Sequence, residues 1–283
     1  MLVSLLQMNC GPDKGENIAK AERMAEEAIA ATNPRILALP EGWNCMGGDH
    51  AVRLSQSEIL PAPGSNDPVG PAYAMLQGLA RRHGIYVHGG SIGQRVGEKL
   101  MNTTLVFNPE GVEIARYSKI HLFDISTPDG LVYGESEGVI PGSEIVTCDI
   151  DGVTVGFAIC YDLRFPELFR ALRDKGAELI FLPSAFTLQT GKDHWHTLIR
   201  ARAIETQCWF AAPAMTGFHY DGKGTQKATY GHSLLCDPWG NVVAQASDGE
   251  GFTTGRLDTA VTTKVRADIQ IELHHRLPFG ELS

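Results

Sequence analysis

Several things are missing from this 283-residue sequence, and each absence removes a class of protein. No apolar run is long enough to span a bilayer, so no membrane partner is expected. Basic residues are outnumbered: 24 Lys and Arg stand against 33 Asp and Glu, a formal charge of −9. Phosphate backbones need a basic face, so nucleic acid is not expected as a partner; a small substrate in a locally basic pocket stays open. The six cysteines (Cys10, Cys45, Cys148, Cys160, Cys208, Cys236) include no CxxC pair and no Cys/His cluster at zinc spacing. They predict reduced thiols, no metal and no cofactor. Residues 1–10 are apolar but short and have no basic leader, which reads as a strand rather than a signal peptide and points to a cytoplasmic protein. No Gly/Ser/Pro-rich linker divides the chain, so residues 1–283 are expected to form one domain.

What is present is a chain with 43% apolar and 20% charged residues, enough to build a sizeable core. Strand-like and helix-like runs alternate. Residues 2–8, 35–39, 85–90, 103–108 and 113–117 read as strands in the first half, with amphipathic helices at 16–32 and 71–82. The second half has a hairpin, 144–150 and 153–159 about Asp151-Gly152, then strands at 178–182, 207–212, 233–236 and 242–245. Its helices are expected at 166–174 and 194–205. Ile36-Leu37-Ala38-Leu39-Pro40 is echoed by Leu179-Ile180-Phe181-Leu182-Pro183, which predicts two similar β-α-β halves packed as one unit. Strands apolar on both faces must be covered on both, so an α/β fold with helix-covered sheets follows. Residues 258–283 read as a polar, irregular tail lying on the surface or at a subunit interface.

Three reactive side chains stand where apolar runs give way to polar ones. Cys160 ends the run 153–159 just before a predicted helix, a turn that lifts a side chain toward ligand. The Tyr161 N–H beside it is a candidate oxyanion donor. A nearby helix start and an ammonium are expected to lower its thiol pKa. Asp162, Arg164 and Glu167 follow at once, a charged cluster that a plain core strand would not need. Glu41 follows Leu39-Pro40 and leads into Gly42-Trp43-Asn44, where crowding against an indole would suit a proton shuttle. Lys119 lies among Ile120, Leu122 and Phe123, which argues that it is held inward and needs a carboxylate partner, Glu41 or Glu135. A carboxylate base, a thiol nucleophile and an ammonium suffice for acyl transfer through a thioester. Arg164 is a candidate lining residue of the acyl pocket, or a partner of Glu167 or Asp162. Trp195 is read as a packing residue that could also line the pocket.

Together these segments resemble the nitrilase superfamily of carbon–nitrogen hydrolases over nearly the whole chain. The carrying motifs are Leu39-Pro40-Glu41, Tyr117-Ser118-Lys119-Ile120-His121-Leu122-Phe123-Asp124 and Gly156-Phe157-Ala158-Ile159-Cys160-Tyr161-Asp162-Leu163-Arg164-Phe165-Pro166-Glu167. The resemblance implies a four-layer α-β-β-α sandwich, usually a homodimer. It implies Glu41 as general base, Lys119 as oxyanion stabiliser, Cys160 as nucleophile and Glu135 as an additional active-site carboxylate. Tyr161-Asp162 after the cysteine is similar to the amidase branches, and residues 199–237 are most similar to the deaminated glutathione amidase group. The resemblance therefore implies a small-molecule amide substrate, with omega-amidase, N-carbamoyl amidohydrolase or nitrilase activity as alternatives on the same scaffold.

Overall fold

A computed structural model of the protein describes residues 1–65, 67–126, 130 and 132–276. Its strands are β1 (Leu2–Gln7), β2 (Ile36–Ala38), β3 (Tyr86–His88), β4 (Ile92–Val96), β5 (Lys99–Phe107), β6 (Glu113–Ser118), β7 (Asp124–Ser126), β8 (Val132–Gly134) and β9 (Thr147–Ile150). They continue as β10 (Val153–Phe157), β11 (Leu179–Phe181), β12 (Trp209–Ala212), β13 (Thr216–Tyr220), β14 (Gln226–Tyr230), β15 (Leu234–Cys236), β16 (Val242–Gln245) and β17 (Gly251–Arg256). The helices are α1 (Lys14–Thr32), α2 (His50–Gln56), α3 (Pro71–His83), α4 (Pro166–Asp174), α5 (Leu188–Thr206), α6 (Thr259–Asp268) and α7 (Ile271–His274).

Among the described residues the strands form two large sheets. One runs β17-β1-β2-β3-β5-β4, with β6 also on β5; the other runs β16-β15-β12-β11-β10-β9. At the centre of each, three strands are parallel: β1, β2 and β3 in the first, β10, β11 and β12 in the second. The echo of Pro40 in Pro183 is thus an equivalence of β2 and β11. Alternation along the strands sorts the core into layers. Ile36 and Ala38 of β2 join Val155 and Phe157 of β10 between the sheets, while Leu37 and Leu39 turn outward onto α1 and α3 through Ala21, Ala25, Leu76 and Leu79. On the far side Phe169 and Leu172 of α4 cover the second sheet. The result is the expected α-β-β-α sandwich.

Local chemistry sets the element boundaries. Asp13 caps α1 by accepting the Glu16 N–H at 2.9 Å, and Asn33 ends the helix in the left-handed region. Helix α3 carries Pro71 at its first turn and stops at Gly84. Helix α5 starts at Leu188, six residues before its expected start, because Thr187 caps it. The irregular tail expected from residue 258 is corrected. Asp258 caps α6 by accepting the Ala260 N–H at 3.0 Å, and Thr262 and Val265 are buried on its inner face. Only those two α6 residues are buried, too few to make an apolar stripe legible in sequence. Residues 277–283 of that tail lie outside the described residues.

Candidate active site

Glu41, Lys119 and Cys160, far apart in sequence, line one cleft of about 530 Å³. Each arrives at the end of a strand. Glu41 follows β2, Lys119 is the residue after β6, and Cys160 opens a short 3-10 turn (Cys160–Arg164) after β10. The cleft therefore lies beyond the C-terminal ends of strands from both sheets, with the carboxylate and ammonium from one sheet and the thiol from the other. All three are nearly buried, at 6%, 2% and 7% exposure, so charges there act with little screening by water.

Glu41 is held by three donors. Its Oε1 accepts Asn102 Nδ2 at 2.9 Å and Lys119 Nζ at 3.1 Å, and its Oε2 accepts the Ala185 N–H at 2.8 Å. Lys119 Nζ also donates to Glu135 Oε2 at 2.8 Å, an oxygen that takes the Phe123 N–H at 2.7 Å. Both partners that the sequence left open for Lys119 are therefore used at once. Burial opposes the lysine's charge, but the Glu135 and Glu41 carboxylates outweigh it and hold its pKa well above the ordinary value. A permanent cation is thus fixed beside the thiol.

Cys160 has φ +49°, and its N–H donates to the Pro183 carbonyl at 3.0 Å. A left-handed cysteine after a strand is a strained elbow of the kind found at reactive positions. One expectation fails here. The thiol is not acidified: burial pushes its pKa well above the ordinary value and the Glu41 carboxylate adds to this, while Lys119 opposes them without prevailing. The sequence reading counted the cation and the helix start but not the burial or the neighbouring anion. The resting sulfur is a protonated thiol facing a carboxylate.

Asp162, which the sequence marked only as part of a charged cluster, is the fixed point behind the elbow. It is fully buried and accepts Tyr117 Oη at 2.7 Å, the Ile159 N–H at 2.8 Å and the His121 N–H at 2.9 Å. His121 Nδ1 lies 2.7 Å from it; an acceptor there requires the Nδ1–H tautomer or the imidazolium. Tyr117 and His121 flank Lys119, so this carboxylate ties the cysteine turn of one sheet to the lysine segment of the other.

The remaining expected residues fall differently. The Tyr161 N–H directly follows Cys160, and the Tyr161 ring packs edge-on against Phe123 and Phe165, at 5.0 and 5.4 Å. Arg164 borders a small second cavity that also touches Cys160, with its guanidinium near the Phe186 ring and 3.3 Å from His194 Nδ1. Neither Glu167 nor Asp162 is its ion-pair partner among the described residues. Trp195 is fully buried, packs on Phe186 and donates from Nε1 to the His232 carbonyl at 2.9 Å. It reaches neither cavity because α5 turns it into the core. Asn102 was missed, although a lone amide in the middle of β5 (Lys99–Phe107) was a visible signal.

A sandwich of this kind with such a cleft marks a hydrolytic enzyme. Residues 2–267 match the carbon–nitrogen hydrolase family model, and the chain belongs to that family. It is 36% identical to a protein named deaminated glutathione amidase from Synechocystis sp., covering 98% of each chain. It is 35% identical to omega-amidase NIT2-A of Xenopus laevis, over 97% of this chain and 94% of that one. The crystal structure of the C. elegans NitFhit protein superposes with a TM-score of 0.85 at 33% identity, covering 97% of this chain but only 65% of the longer NitFhit chain.

Proposed function

We propose that this protein hydrolyses a small carboxylic amide to acid and ammonia through a thioester on Cys160. Glu41 takes the thiol proton as sulfur attacks the amide carbon. Lys119 Nζ and the Tyr161 N–H receive the oxyanion, each good donor contributing roughly 3–4 kcal/mol. The protonated Glu41 hands its proton to the leaving nitrogen, ammonia departs, and the carbonyl re-forms as a thioester. Water enters, gives a proton to Glu41 and attacks the thioester; the acid leaves and the sulfur regains its proton. Glu135 orients Lys119. The observation that carries this reading is the convergence of Glu41, Lys119 and Cys160 on one cleft. The raised thiol pKa fits it, because a sulfur that rests protonated needs an adjacent base.

Deaminated glutathione is the substrate this reading favours, supported by the name of the Synechocystis relative, with an omega-amidase substrate as the second choice. Homodimeric assembly belongs to the same reading and is supported by the exposed apolar side chains of Ile204 and Trp239; Gly240, next to that tryptophan, packs on Ile204. A cytoplasmic location goes with it, and among the described residues no helix is long and apolar enough to cross a membrane. The test is ammonia release from deaminated glutathione, α-ketoglutaramate, simple aliphatic amides and N-carbamoyl amino acids, with acyl-Cys160 trapped by mass spectrometry. The Cys160→Ala protein is expected to fold and to lose turnover; ammonia release near the wild-type rate from that variant would overturn the mechanism.

A further inference from the structure

Cys160 borders two cavities, and the hydrolysis described above uses one of them. The large cleft takes the amide. The small cavity reaches the same sulfur between the Cys160–Arg164 turn and the start of α5, and its volume of about 10 Å³ is room for one water molecule. Its walls are of two kinds. Phe123, Tyr161 and Phe186 supply apolar surface, while Thr187 and Thr190 supply hydroxyls. Half-buried Arg164 borders it too, its guanidinium 5.8 and 5.6 Å from the centres of the Tyr161 and Phe186 rings.

The two hydroxyls are paired with each other. Thr187 Oγ1 and Thr190 Oγ1 are 2.8 Å apart, and Thr187 Oγ1 also accepts the Thr190 N–H at 3.3 Å. Two hydroxyls carry two protons, and the bond between them uses one. The pair therefore keeps one O–H to donate and lone pairs to accept, which is what an isolated water needs from its surroundings. The base is close as well. Ala185 borders both cavities and gives its N–H to Glu41 Oε2 at 2.8 Å.

The second half of the reaction needs such a place. In the thioester the carbonyl oxygen stays with Lys119 and the Tyr161 N–H, and the acyl chain runs out along the large cleft. The chain then separates the reacting carbon from bulk solvent, so water must already be at hand beside Glu41 once ammonia has left. We propose that the small cavity is the station of the hydrolytic water, with Thr187 and Thr190 as its positioning residues. This rests on the thioester reading and deepens its second step. The water oxygen bonds to the thioester carbon, one of its protons passes to the Glu41 carboxylate, and the carbonyl electron pair moves onto the oxygen held by the oxyanion donors. Collapse re-forms the carbonyl, breaks the carbon–sulfur bond and returns the proton from Glu41 to sulfur.

Rapid acid quench with intact-mass measurement follows the growth and the decay of acyl-Cys160 separately. Two acyl donors are used: deaminated glutathione, and p-nitrophenyl butyrate, an activated ester whose attack by the thiol does not depend on the choice of amide. Thr190→Val keeps the shape without the hydroxyl. It should acylate within about 2-fold of the wild-type rate, while its acyl-enzyme decays ~10-fold more slowly and accumulates. Thr190→Ser should restore the decay. Thr190→Ala only removes atoms and keeps the test open if valine prevents folding, with a loss of the same sign. Equal slowing of both steps would mark a merely structural residue and overturn the water station. Decay at the wild-type rate in Thr190→Val and Thr190→Ala overturns it too; in both cases the thioester reading stands. Absence of acyl-Cys160 from either donor in the wild-type protein sinks the thioester reading, and the station with it.

Discussion

The side-chain amide of Asn102 donates to Glu41 Oε1 at 2.9 Å, on the oxygen that also takes Lys119 Nζ. With Ala185 N–H on the other oxygen, the proposed base is fixed in one orientation. Removing the amide in Asn102→Ala should lower kcat by ~10–100-fold, the worth of a hydrogen bond to a charged group. KM should move less. An unchanged kcat would remove Asn102 from the machinery.

The thiol predicts a spectroscopic result. Burial and the Glu41 carboxylate push the Cys160 pKa up. The difference in absorbance at thiolate wavelengths between wild type and Cys160→Ala should therefore show no ionisation step near neutrality. Cys10, Cys148 and Cys236 are held at about 12 by burial, so they do not obscure the reading. A step below the ordinary cysteine value would mean that the sulfur rests as thiolate.

Much of this site was legible in the sequence, for a local reason. Strand ends announce themselves by apolar runs that stop, so Glu41, Lys119 and Cys160 could be found one at a time. Their partners could not, because Asn102, Ala185 and Asp162 act through contacts across 61, 144 and 41 or more residues of chain. The thiol's pKa was misjudged for the same reason: burial is a property of the packed sandwich, not of the segment. Helix α2 and the β13–β14 hairpin, short and polar, gave no usable periodicity, so their part in walling the cleft went unseen.

Asp162 should be costly to replace. Asp162→Ala strands the buried Tyr117 hydroxyl and the Ile159 N–H, which both donate to it. A loss on the order of 3–5 kcal/mol is expected, seen as a fall of roughly 10 °C in melting temperature. Asp162→Asn, which keeps the shape, should lose less stability but still lower kcat by loosening the cysteine turn. Wild-type melting in the alanine variant would refute this.

His88 makes stability depend on pH. It is wholly buried beside Phe157 and Phe181, its Nδ1 accepts the Gly90 N–H at 3.2 Å, and burial lowers its pKa from 6.5 to about 3. Between those values the unfolded chain binds a proton that the folded one refuses. Stability from this group is therefore full above the unfolded pKa and is lost as pH falls toward 3, with a limiting slope of about 1.4 kcal/mol per pH unit. His88→Phe should flatten denaturant midpoints over that range; an unaltered acid limb would contradict it.

Gly90 braces the turn that carries Glu41, the proposed base, from behind. It has φ +58°, and a Cβ there would collide with the Pro40 and Leu39 carbonyls. Gly90→Ala should push the Pro40 turn aside and cut turnover by ~100-fold or more, the scale expected when a reacting group is displaced by about 1 Å. Activity at the wild-type level in that variant would show that the turn can yield without moving Glu41.

The cleft takes Glu41 and Lys119 from one sheet and the sulfur of Cys160 from the other. Hydrolysis therefore reports on how the sandwich is seated. A sideways slip of one layer over its neighbour, leaving every ladder intact, would part donor from acceptor. On gentle heating or mild denaturation the protein should fall catalytically silent while its far-ultraviolet circular dichroism is still native.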